Sequence, residues 1–229
     1  MYHKQRYVIG VFICALAYNP NSGKEGRVMI AIIDYDAGNI KSVEKALVHL
    51  GERPVITRDR EEILKADKVI LPGVGAFGDA MEKLREYDLE SVIYEVVAKN
   101  TPFLGICLGL QILFESSDEA PGVEGLGVLK GKICRIPDAE GLKIPHMGWN
   151  SLKLHNNGRL FKGIDEDSYV YFVHSYYLKA EEEEIVTATT EYSTLIHASV
   201  EKNNVFACQF HPEKSSDVGL HILKNFVEL

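Results

Sequence analysis

Tryptophan occurs once in these 229 residues, as Trp149, and cysteine only four times, as Cys14, Cys107, Cys134 and Cys208. The cysteines show no paired spacing, which argues against a disulfide framework and for a reducing compartment. Basic residues are in deficit. Lys and Arg number 25 against 33 Asp and Glu, a formal charge of -8 that argues against a nucleic-acid-binding surface. No Gly-rich loop is followed by Lys and Ser/Thr, so the phosphate-cradling motif is missing. There is no internal repeat and no low-complexity linker, and 46% hydrophobic residues can fill one core, so a single large domain is the simplest organisation. The apolar run Val8 to Ala17 is too short to span a bilayer as a stable helix. Cys208 and His211, three residues apart on an extended segment, face opposite sides and make a poor metal pair, so no metal is expected.

The informative stretch is Gly105-Ile106-Cys107-Leu108-Gly109. Pro102 to Ile106 reads as a short buried strand, and Leu108 to Phe114 as the start of an apolar helix. Cys107 then occupies the corner, where flanking glycines let the chains pass and the sharp turn aims the side chain out of the sheet. A helix N-terminus behind the sulfur favours its ionised form, which makes Cys107 a candidate nucleophile. A nucleophile needs a base, and the base an orienting group. His211-Pro212-Glu213 follows the apolar run Val205 to Cys208 and supplies both: His211 to take the thiol proton, Glu213 to hold the imidazole. The two-residue spacing puts His211 and Glu213 on one side of an extended segment. A tetrahedral intermediate also needs backbone N–H donors. Leu108, at the helix start, and the loop Pro72-Gly73-Val74-Gly75 are the available sources. Gln111, one helical turn after Cys107, can reach a bound substrate.

Gly105-Ile106-Cys107-Leu108-Gly109-Leu110-Gln111 together with His211-Pro212-Glu213 resembles the class I, triad-type glutamine amidotransferases, which hydrolyse glutamine and deliver ammonia to a synthase. Asp34 to Asn39, Leu71 to Phe77, Pro145 to Asn150 and Phe172 to Tyr176 narrow the resemblance, over Met29 to Leu229, to the glutaminase subunits of imidazole glycerol phosphate synthases in histidine biosynthesis. The resemblance implies L-glutamine as substrate and a cyclase subunit as heterodimeric partner, with no nucleic acid, membrane or cofactor. It also implies that Gly73, Val74 and Gly75 form an oxyanion strand whose peptide the partner's ligand can switch, and that Ser175 and Tyr176 contact substrate. Asn39, His146, Met147, Trp149 and Lys214 are implied to face the partner. A stand-alone cysteine hydrolase fits the same catalytic residues, whereas the complete Cys107, His211 and Glu213 set speaks against a binding subunit that has lost activity. Related amidotransferases serving guanylate, anthranilate or pyridoxal phosphate synthesis would be expected to lack the combination of Pro145 to Asn150 with Asp34 to Asn39.

Residues 1–28 read differently from the rest. Lys4-Gln5-Arg6, Val8 to Ala17 and Ala15-Leu16-Ala17 resemble a secretory signal. The remainder resembles a cytoplasmic enzyme with a reactive thiol. Met29 to Asp34 is a good first strand, and Lys24-Glu25-Gly26 is encodable by a purine-rich ribosome-binding sequence, so 1–28 is expected to be an extension outside the fold and 29–229 the glutaminase domain. Within that domain, strand-like runs at 29–34, 54–57, 68–71 and 102–106 alternate with helix-like stretches, notably 39–50 and 89–99. Segments 143–154, 169–177, 185–190 and 195–209 are β-rich, Glu201 to Asn204 reads as a hairpin turn, and Asp217 begins a closing helix. The expected architecture is an open, mixed and largely parallel α/β sheet with helices on both faces and the site at the carboxyl ends of its strands.

Overall fold

A computed structural model describes residues 28–229. The signal-like reading of the N-terminal segment therefore concerns residues outside the described ones. The first half alternates strand and helix as β1 (Ile30–Ile33), α1 (Ile40–His49), β2 (Val55–Thr57), α2 (Arg60–Lys65), β3 (Lys68–Leu71), α3 (Phe77–Glu86), α4 (Leu89–Ala98), β4 (Phe103–Ile106) and α5 (Leu108–Gln111). The second half is β-rich: β5 (Ser116–Ser117), β6 (Gly131–Arg135), β7 (His146–Ser151), β8 (Lys153–Leu154), β9 (Tyr169–His174), β10 (Tyr176–Ala180), β11 (Val186–Tyr192), β12 (Thr194–Lys202) and β13 (Val205–Cys208). A closing helix, α6 (Ser216–Val227), follows.

The main sheet has eight strands in the order β2-β1-β3-β4-β13-β12-β11-β8. The pairs from β2 to β13 are parallel and those from β13 to β8 antiparallel, which is the expected mixed, largely parallel sheet. Two small sheets, β10-β6-β5 and β7-β9, complete the described residues. Alternation along the strands divides the core into two layers. Ala31, Ile33, Val69, Leu71 and Phe103 face one layer with Ile63, Met81, Leu84 and Ile93 of the helices α2, α3 and α4. Ile30, Ile32, Ile70, Leu104 and Ile106 face the other with Val43 and Leu47 of α1 and Ile222 and Phe226 of α6. The helices answer with stripes of helical period, such as Phe77, Ala80, Met81 and Leu84 on α3.

Strand and helix limits fall within a residue or two of the sequence reading in the first half, with one exception. The helix after Cys107 was expected to run to Phe114, yet α5 closes at Gln111. The carbonyls of Ile112, Leu113 and Phe114 accept from the N–H groups of Leu126, Leu129 and Gly127 at 2.8, 3.1 and 3.3 Å, so distant backbone takes the acceptors a longer helix would use. The segment 169–177 is likewise split at Ser175 into β9 and β10.

Candidate active site

Strands β3, β4 and β13 are neighbours and parallel, so their carboxyl ends meet at one edge of the sheet. Pro72–Gly75 leaves β3 there, Cys107 leaves β4, and Gln209–His211 leaves β13. Cys107 has φ +56° and ψ −107°, a backbone state that costs about 1–3 kcal/mol for a residue with a side chain. The surroundings hold it: the Cys107 N–H donates to the Cys208 carbonyl at 2.7 Å, and the Cys107 carbonyl accepts from Leu110 and Gln111 at 3.0 and 3.2 Å. The flanking glycines serve close approach. A Cβ on Gly105 would lie 2.6 Å from the Gly109 carbonyl oxygen, and one on Gly109 would overlap the Leu71 carbonyl oxygen. With only one turn of helix behind it, the sulfur gains less from the helix N-terminus than a longer helix would supply.

His211 Nδ1 lies 2.8 Å from Glu213 Oε1, and both side chains are fully buried. Glu213 reaches the imidazole from a 3₁₀ turn, Pro212–Lys214, and not from the extended segment the spacing suggested. Burial works against a charged His211, but the Cys107 sulfur and the Glu213 carboxylate, both favouring the imidazolium, outweigh it and hold the pKa up at about 9. His211 Nε2 has no hydrogen-bond partner of normal geometry, which leaves this nitrogen free to exchange a proton with the sulfur or with a bound substrate.

Asn39 was expected at a partner surface. It is 5% exposed, and its Nδ2 donates to Glu213 Oε1 at 3.2 Å, so it orients the carboxylate from inside. His146 departs from its expected place in the same way. It is buried between Phe172 and Tyr192, stacked with ring centroids 4.8 and 3.9 Å away, and its Nδ1 lies 3.1 Å from His174 Nε2. Burial pushes the pKa of His146 down to about 4 and that of His174 to about 3, so both rings are neutral at pH 7. Met147 and Trp149, on the same strand β7, are exposed, as is Lys214.

A cavity of about 410 Å³ opens over the sulfur, lined by Val74, Gly75, Cys107, Leu108, Gln111, Ser175, Tyr176 and Lys214 among others. The Gln111 amide does not project freely into it: Nε2 donates to the Tyr176 carbonyl and to Gln209 Oε1, each at 3.0 Å. The Leu108 N–H, expected as an oxyanion donor, donates to the Gly73 carbonyl at 3.3 Å. Two residues given no role from sequence also shape the site. Tyr35 donates from its hydroxyl to the Pro72 carbonyl at 2.7 Å, and Gln209 donates from Nε2 to Cys107 Sγ at 3.7 Å. Gln209 had a readable signal, since it precedes His211 by two residues on an extended segment. Among the described residues no cluster of three His, Cys, Asp or Glu could hold a metal ion, and no helix is long and apolar enough to cross a membrane.

A strained cysteine on a strand-to-helix elbow beside a buried His–Glu pair has the parts for covalent acyl transfer through a thioester. The family model for class-I glutamine amidotransferase matches residues 31–229, and the chain belongs to that family. It is 53% identical over 201 residues to imidazole glycerol phosphate synthase subunit HisH of Methanocaldococcus jannaschii, covering 88% of this chain and 100% of that protein. It is 52% identical over 200 residues to the subunit of the same name from Moorella thermoacetica, covering 87% and 94%. Among solved structures, PurLQS from Thermotoga maritima aligns with a TM-score of 0.70 at 19% identity, covering 89% of this chain and 99% of that one, a likeness of fold alone.

Proposed function

We propose that this chain is the glutaminase subunit of an imidazole glycerol phosphate synthase and that Cys107, His211 and Glu213 are its catalytic triad. The observation that carries the reading is Cys107 at φ +56° on the elbow, beside a His211–Glu213 pair 2.8 Å apart, in a chain half identical to subunits of that synthase. The thiolate attacks the side-chain amide of L-glutamine, and imidazolium His211 gives its proton to the departing ammonia. Water then adds to the thioester, loses its proton to His211 and releases glutamate as the carbon–sulfur bond breaks. Ammonia passes to a cyclase subunit, which forms imidazole glycerol phosphate and aminoimidazole carboxamide ribonucleotide. Ser175 and Tyr176 line the substrate cavity, and exposed Met147, Trp149 and Lys214 face the cyclase. A reactive thiol suits the cytoplasm. The working unit is 29–229, a range supported by the family match over 31–229.

The bond from Leu108 N–H to the Gly73 carbonyl bears on regulation. While that carbonyl occupies the donor, no oxyanion can use it. Rotating the Gly73–Val74 peptide turns the carbonyl away and offers the Val74 N–H, and Gly75, at φ +106° with open space around it, has the freedom to follow. Cyclase ligand would favour the rotated state. The test is glutamate release by the isolated chain, by its complex with the cyclase, and by the complex with cyclase ligand. Ligand should raise kcat by about 10²-fold or more, the usual worth of an oxyanion donor. Cys107→Ala should abolish glutamine-dependent synthesis and spare synthesis from ammonium salt. A chain starting at Met29 should return the same rates. Equal rates in all three states would restore the stand-alone hydrolase, and glutamine hydrolysis by Cys107→Ala would remove the nucleophile.

A further inference from the structure

We infer that the Gln209 side-chain amide is a catalytic hydrogen-bond donor to the Cys107 sulfur, held in that orientation by a backbone carbonyl two hydrogen bonds away. This rests on Cys107 being the nucleophile. Gln209 is fully buried and immediately follows β13, with its own N–H tied to the Ala198 carbonyl at 2.8 Å, so its backbone is held by the sheet.

Which end of a glutamine amide carries the hydrogens has to be assigned from its partners. Here the assignment starts from a group that has no ambiguity. The Tyr176 carbonyl can only accept, and it takes one hydrogen bond from His174 Nδ1 at 2.8 Å and one from Gln111 at 3.0 Å. Gln111 must therefore turn its NH₂ toward Tyr176. Its second hydrogen then points at Gln209, 3.0 Å away, which must answer with Oε1. That leaves the Gln209 NH₂ facing Cys107 Sγ at 3.7 Å, a distance suited to a sulfur acceptor. Reversing Gln209 would set donor against donor at Gln111 and oxygen against sulfur at Cys107.

An N–H aimed at sulfur is strengthened when the sulfur carries charge and is weak toward a neutral thiol or thioester. The sulfur carries charge at two points in the cycle. It is anionic before attack on the amide, and again when the thioester breaks and the carbon–sulfur electron pair returns to it as water gives its proton to His211. Gln209 thus favours both the attacking and the leaving form. The other titratable groups acting on the sulfur are His211, the Tyr35 phenol and the Cys208 thiol. Tyr35 and Cys208 have pKa values raised by burial and carry no charge at pH 7 to do this work.

The experiment follows Cys107 alkylation by iodoacetamide, read by mass spectrometry from pH 5 to 10, in the full chain and in Gln209→Glu and Gln209→Met. Folding is checked by circular dichroism. Gln209→Glu keeps the shape and the acceptor for Gln111 but offers oxygen to the sulfur. Gln209→Met removes both polar ends. Each should slow alkylation at pH 7 by about 10-fold, displace its pH profile upward, and lower kcat for glutaminase while leaving KM for glutamine little changed. In the unaltered chain the Gln209 side-chain amide proton resonances should shift through the same pH range, a readout that needs no variant. A folded variant with the parent profile, or amide resonances that ignore sulfur ionisation, would overturn the role of Gln209. Parent Cys107 reacting no faster than Cys134 would instead overturn the nucleophile.

Discussion

Replacing Gly109 and Gly78 by alanine is the same chemical change at two helix starts, yet the structure assigns the two opposite signs. At Gly109, on the first turn of α5, an added Cβ overlaps the Leu71 carbonyl oxygen and lies 3.0 Å from the Leu71 carbonyl carbon. Those atoms belong to the backbone of β3 and have no rotamer with which to move aside. The elbow must retreat from β3 by ~1 Å, and overpacking of this kind costs about 1–3 kcal/mol, with an unyielding backbone neighbour putting Gly109→Ala at or above the upper end. At Gly78, the second residue of α3, the nearest atom to an added Cβ is that of Ala120 at 3.5 Å, an ordinary contact. There alanine removes unfolded-state freedom and should stabilise by about 0.4–1 kcal/mol. The gap between the variants should be about 3–4 kcal/mol, read from urea unfolding followed by far-ultraviolet circular dichroism. Activity should diverge too. Moving Cys107 by ~1 Å relative to His211 should cost roughly 10²-fold in glutaminase kcat, whereas Gly78→Ala leaves kcat near that of the parent. Stabilities within 0.5 kcal/mol of one another would refute the account of the elbow.

The charge held on His211 should appear in the pH dependence of stability. Because the folded pKa is raised to about 9 from 6.5, the contribution is full below pH 6.5 and is lost as pH rises through 9, a decline of roughly 3 kcal/mol that His211→Gln should abolish; an equal decline in the variant would count against it. Asn39→Asp should put a second carboxylate against Glu213 and lower glutaminase kcat by about 10-fold or more, with Asn39→Leu intermediate. Parental kcat in Asn39→Asp would show that Asn39 does not orient Glu213.

The groups that meet in the site were legible because their signals are local. Two glycines around Cys107, and a histidine and a glutamate just past an apolar run, are visible within a few residues, and β3 (Lys68–Leu71) was read to the residue from its apolar character. What the sequence concealed lay in partners far along the chain. The apolar stretch 108–114 looks helical throughout by composition, but the N–H groups of residues 126, 127 and 129 take its later carbonyls and α5 ends after one turn. The partner-facing places of Asn39 and His146 follow from family resemblance, not from any local signal of exposure. Their burial depends on Glu213, 174 residues from Asn39, and on Phe172 and Tyr192, none of which sequence adjacency reveals.

The glycines of the loop after β3 show how far a residue type can be read before contacts are known. Gly73 and Gly75 are the same residue type in one loop, yet they do different work. A Cβ on Gly73 would overlap the Tyr35 hydroxyl and lie 2.9 Å from the Leu108 Cβ, so Gly73 is needed for closeness, letting its carbonyl reach the Leu108 N–H. Gly75 has nothing within 4 Å of an added Cβ but sits at φ +106°, so it is needed for conformation. The Tyr35 hydroxyl also anchors the Pro72 carbonyl at 2.7 Å. The loop is therefore pinned at its start and open at Gly75, so the rotation proposed for the Gly73–Val74 peptide has to break the 3.3 Å bond from the Leu108 N–H to the Gly73 carbonyl.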